Sequence, residues 1–105
     1  MISTRTELLF AIKKTILSVD VSGKVILYGS QARGTANQNS DWDLLILLDK
    51  PKIESEDFDR ITYPLVELGW SEGEQFSPKL YTLRDWENRY FTPFYKNIQQ
   101  EGIIL

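Results

Sequence analysis

The stretch DWDLLILLD, Asp41–Asp49, constrains the fold more than any other. Leu44–Leu48 are consecutive apolar residues with nothing polar between them. A strand with one wet face alternates apolar and polar residues. A run without alternation is covered on both faces, as in sheets flanked by helices. The run therefore reads as a buried strand over 43–49, ended by Lys50-Pro51, and it requires a layered fold around it.

The flanking segments supply the layers. Residues 3–18 predict a first helix, capped by Thr4 or Ser3, with Glu7 in capping-box position and Leu8, Leu9, Ile12, Ile16 and Leu17 at helical spacing. Residues 19–24 are a turn, and Val25–Tyr28 is a short β-branched and aromatic strand. Ser30 is a candidate N-cap for a helical turn through Arg33, and residues 34–40 are loop. Residues 55–68 predict a helix with Phe58, Ile61, Leu65 and Leu68 on one stripe. Pro64 is expected to kink or split it, and Gly69 to stop it. Residues 75–82 are a candidate third strand, with Pro78 suggesting an edge position or a bulge. A short helix follows over 83–90. Thr92-Pro93 opens a last helix to about Gln100, ended by Gly102. Helices and strands interleave with no linker or repeat. The expectation is a single domain over 1–105, of α/β (α+β) class: a small mixed β-sheet flanked by helices.

Composition narrows the chemistry. The 105 residues contain no Cys and no His. Disulfides, Cys/His zinc sites and histidine acid–base catalysis are excluded, and any metal must be held by oxygen. Twelve Lys plus Arg against fifteen Asp plus Glu give a net charge of −3. That balance argues against a nucleic-acid binder. The expectation is a cytoplasmic protein without signal peptide or membrane span, since no apolar run approaches ~18 residues.

Two short motifs carry the chemistry. Asp41 and Asp43 stand at i and i+2 of an extended segment and project from one face. Paired carboxylates repel, and a divalent cation such as Mg²⁺ or Mn²⁺ relieves the repulsion. Gly29 and Ser30 end a strand and open a helical turn. Its backbone N–H groups and the Ser30 hydroxyl suit a phosphate, which Gly29 allows to approach closely. Arg33, one turn on, can reach a phosphate or hold an aspartate. Gly34 can leave the turn in a left-handed conformation. Alone, each motif has a plainer explanation, as solvated loop aspartates or an ordinary Ser-capped turn. Together they form one site if the two strands are neighbours and the ten intervening residues cross the sheet's end. That arrangement suits phosphoryl or nucleotidyl transfer.

The stretch GSQARGTANQNSDWDLLILLD resembles the signature of the DNA polymerase β-like nucleotidyltransferases, Gly-Ser-x10-Asp-x-Asp before an apolar strand. It is most similar to the minimal nucleotidyltransferase domains of prokaryotic two-component modules. The resemblance implies transfer of a nucleoside monophosphate from a nucleoside triphosphate, such as ATP, to a partner protein or small-molecule hydroxyl, with Mg²⁺. It implies that Gly29 and Ser30 contact the triphosphate and that Asp41 and Asp43 bind metal. It also implies a possible small helical partner protein, as in toxin–antitoxin pairs.

One departure bears on activity. The family has a third carboxylate on a later strand, whereas Gln75–Thr82 contains none. Glu74 is the candidate if that strand starts early. Otherwise the position is vacant, and Lys79 can face the site, binding phosphate but competing with metal. The alternative function is therefore a catalytically weak or inactive nucleotide-binding, antitoxin-like subunit that binds a helical partner. Trp86, Tyr90 and Phe94 share helical spacing and read as core or interface. The closing GIIL reads as sheet packing or a homo-oligomer contact.

Overall fold

The computed structural model describes residues 4–105. The buried run forms the second strand of a four-stranded sheet, between two neighbours. In chain order the elements are α1 (Arg5–Val19), β1 (Lys24–Tyr28), α2 (Ser30–Arg33), β2 (Trp42–Leu48) and α3 (Ser55–Glu72). Then come β3 (Phe76–Thr82), α4 (Leu83–Glu87), α5 (Pro93–Glu101) and β4 (Ile103–Ile104). The sheet order is β3-β2-β1-β4, with β1 antiparallel to β2 and β4, and β3 parallel to β2.

The uninterrupted apolar run is explained by layers on both faces of β2. Trp42, Leu44, Ile46 and Leu48 pack with Leu8, Ile12 and Ile16 of α1 and with Ile61 and Leu65 of α3. Leu45 and Leu47 turn the other way, onto Trp86 of α4 and Ile98 of α5. Leu44, Leu45, Ile46 and Leu48 are fully buried. Burial of each contributes about 2 kcal/mol.

The helix boundaries follow local chemistry. The Thr4 hydroxyl accepts from the Glu7 N–H and caps α1. The alternative cap, Ser3, lies outside the described residues. Pro64 stays within α3 without splitting it. The helix also runs past Gly69, which is buried inside it, and stops at Gly73 in the left-handed conformation (φ 68°). Gly69 is needed for space, since a Cβ there would meet the Glu74 carbonyl. Of the predicted α3 stripe, Phe58 is exposed and Asp57 is buried in its place. Asp57 accepts from Lys50 (2.6 Å), Arg60 (2.8 Å) and the Glu54 N–H (2.9 Å). Arg60 also donates to the Val19 carbonyl. One buried carboxylate thus ties the end of α1, the β2 exit and the start of α3.

At the C-terminal end, α4 closes at Glu87, short of Tyr90, so Trp86, Tyr90 and Phe94 do not share one helix. Trp86 is buried, Phe94 packs on it edge-to-face, and Tyr90 is exposed. The Thr92 cap and Pro93 open α5 as expected. The GIIL tail adds a strand: Ile103 and Ile104 pair with Leu27 and Ile26 of β1. Pro78 lies on the edge strand β3, where a missing N–H is tolerated.

Candidate active site

The pairing of β1 with β2 brings the two motifs together. Tyr28 is the register partner of Asp43, so the chain leaves β1 at Gly29 directly beside the start of β2. Gly29 has φ 76° and ψ −160°, a region open essentially to glycine alone. A Cβ at Gly29 would overlap the Asp43 carboxylate. The glycine is therefore required twice, for its backbone angle and for the space it leaves to the acid.

Gly29, not Ser30, is the N-cap of α2, and Ser30 is its first residue. Ser30 lacks the cap role because the chain turns one residue earlier, at the positive φ of Gly29. The Ala32 and Arg33 N–H groups donate to the Gly29 carbonyl. The amides of Ser30 and Gln31 precede any intrahelical acceptor, as in every first helical turn. Gly34 ends the turn in the left-handed conformation (φ 78°).

Asp41 and Asp43 flank Trp42, which points into the opposite layer. Asp41 is exposed and accepts a hydrogen bond from the Ser77 hydroxyl (3.0 Å). Asp43 is half-buried, and its pKa is raised, first by burial and then by the charge of Asp41. Lys79 and Arg33 pull it back down, while Glu101 adds to the rise. Tyr28, beside Asp43, has its phenol pushed up to about 12 by burial and by the Asp43 charge. Arg33 reaches across the corner to Glu101 of α5 at 2.8 Å.

Glu74 is not brought to this corner. Its carboxylate accepts from the Trp42 indole N–H (2.9 Å), and Trp42 belongs to the α1/α3 layer, on the sheet face away from Asp43. On β3 the register partner of Asp43 is Ser77, with Lys79 two residues on and facing the same way. Ser77 and Glu101 escape a reading of the sequence. Locating Ser77 requires the β2–β3 register, and locating Glu101 requires the pairing of the tail with β1. A groove between α3 and the start of β3, lined by Leu65, Gly69, Trp70 and Phe76, includes neither aspartate.

Asp41 and Asp43 offer carboxylate oxygens, the donor class that a hard divalent cation takes. Two neighbouring carboxylates, one with its ionised form disfavoured by burial and then by the charge of the other, would gain from such an ion, and substrate oxygens could complete its shell. Among the described residues no group of three or more acidic side chains is placed to hold a metal.

Residues 11–105 match the nucleotidyltransferase domain family. The chain belongs to the nucleotidyltransferase family. No curated protein matches it. The mixed four-stranded sheet with helices on its faces agrees with a nucleotidyltransferase fold. The family's chemistry is nucleotidyl transfer, and the matched residues of this nucleotidyltransferase domain include the Gly29 corner and both aspartates. Among the described residues no helix is long and apolar enough to cross a membrane.

Proposed function

We propose that this nucleotidyltransferase domain transfers a nucleoside monophosphate from a triphosphate, ATP for choice, to a hydroxyl of a partner protein or small molecule. The observation that carries the reading is the abutment of Gly29 on Asp43, which sets the start of the α2 turn against a carboxylate pair. Asp41 and Asp43 would hold Mg²⁺ or Mn²⁺, and the ion would offset the charge of the polyphosphate. The amides of the α2 turn and the Ser30 hydroxyl bind phosphate oxygens. Arg33, more than half exposed and held by a single carboxylate, has guanidinium donors left for the β and γ phosphates. In the reaction the acceptor oxygen bonds to the α-phosphorus, the bond to the β-phosphate oxygen breaks, pyrophosphate leaves, and the hydroxyl proton passes to water.

The test is incubation of the purified domain with Mg²⁺, α-labelled ATP and its candidate acceptors. Label should appear on an acceptor with the wild type and disappear with Asp43→Asn. Equal labelling by the variant rejects the assignment.

A second reading has one specific support: β3 offers Ser77 and Lys79 where a third acid would stand. A missing general base lowers rates by about 10²–10⁴-fold. On this reading the domain binds nucleotide and acts by docking a helical partner. Metal-dependent ATP binding with no transfer to any acceptor would favour it.

A further inference from the structure

We propose that Lys79 does the work of a second cation, so that the site operates with a single divalent metal ion and a fixed ammonium. This rests on the transferase reading above and extends it to how the site is charged.

The sheet register places the lysine. Parallel pairing sets Ser77 beside Asp43 and Lys79 beside Leu45, so both side chains leave the sheet on the face of Asp43. The Lys79 Nζ lies 5.1 Å from the centre of the Phe94 ring. Phe94 stands edge-on to Tyr28 at 5.4 Å, and Tyr28 is the register partner of Asp43. The ammonium is thus held on an aromatic face next to the carboxylate corner. Among the described residues it forms no ion pair within 4.0 Å, unlike Arg33.

The acids present do not make a two-metal clamp. A pair of metal ions about 3.5–4 Å apart needs carboxylates on more than one side. Here the β3 position beside Asp43 carries a neutral hydroxyl that donates to Asp41. A further acid whose charge acts on Asp43, Glu101, is bound to Arg33 at the end of α5, just before β4. The charge balance is nonetheless preserved. Three carboxylates with two divalent cations carry a net charge of plus one, and two carboxylates with one divalent cation and a lysine carry the same. A lysine is a compact point charge suited to a phosphate oxygen.

The experiment counts Mn²⁺ bound per chain by electron paramagnetic resonance at saturating non-hydrolysable ATP analogue, with analogue affinity measured by calorimetry. Wild type should bind one Mn²⁺. Lys79→Gln should keep that count and lose about tenfold to a hundredfold in analogue affinity, with Lys79→Arg restoring most of it. Ser77→Asp should raise the count to two. Two Mn²⁺ on the wild type, or unchanged affinity in Lys79→Gln, overturns the proposal while leaving the transferase reading intact. A second Mn²⁺ that disappears in Glu101→Gln would assign the missing ligand to Glu101 instead. Failure of the wild type to bind the analogue at all overturns both. Matching thermal unfolding confirms that each variant is folded, and the Gln/Arg pair decides the matter if Ser77→Asp does not fold.

Discussion

The Asp43 carboxylate occupies the space that a side chain on Gly29 would need. The turn that opens at Gly29 and the acidic pair are therefore parts of one packed corner. Gly29→Ala should displace Asp43 and force alanine into a glycine-only backbone region. The expected result is loss of metal-dependent ATP binding by calorimetry and a stability loss of about 1–3 kcal/mol by urea unfolding. Wild-type binding by this variant would show that the corner is not the site.

Asp43 pays for its position in stability. Burial and Asp41 raise its pKa, so the ionised form is disfavoured in the folded state. The domain should lose stability from this group as pH rises from the ordinary carboxylate range through the raised value. Asp43→Asn should accordingly raise Tm at pH 7 in the absence of divalent ions. Thermal scans at pH 4 and pH 7 check the sign, since the variant's advantage should shrink at the lower pH.

Asp57 behaves in the opposite way. Hydrogen bonds from Lys50 and Arg60 hold its pKa far below the usual range. Its contribution is complete above about pH 4 and is lost as pH falls further, toward the depressed value. Asp57→Ala should cost about 2–3 kcal/mol at pH 7, because it leaves two cations without their shared partner. Urea unfolding from pH 7 to pH 2.5 should show a steeper acid loss in the wild type than in the variant.

Arg33 and Glu101 form a pair whose arginine is half exposed. Exposed pairs contribute less than about 1 kcal/mol, so Arg33→Ala should leave stability nearly unchanged. On the proposed function it should raise KM for ATP about tenfold or more, since Arg33 would supply a charge-assisted phosphate contact. Steady-state kinetics and thermal unfolding together separate the two effects.

Glu74 accepts from the Trp42 indole on the far face of the sheet. Glu74→Gln should leave transfer unchanged and weaken the domain by about 1 kcal/mol. Loss of transfer with an intact fold would return Glu74 to the chemistry.

Much of this domain was determined by local sequence. The apolar run 44–48 demands two covered faces, the Thr4 and Thr92 caps set helix starts, and Gly-Ser-x10-Asp-x-Asp marks the corner, because burial, capping and backbone freedom depend on near neighbours. Other outcomes needed the assembled sheet. Gly69 is covered by Glu74 and Phe76 where the chain turns back into β3, so its stop signal yields to Gly73, whereas the remaining placements are long-range. Glu74 is drawn to Trp42, Ser77 and Lys79 reach Asp43 through parallel register, and Glu101 arrives by the pairing of β4 with β1. Those placements join residues tens of positions apart, and strand order and register, which no local pattern encodes, decide which side chains share a face.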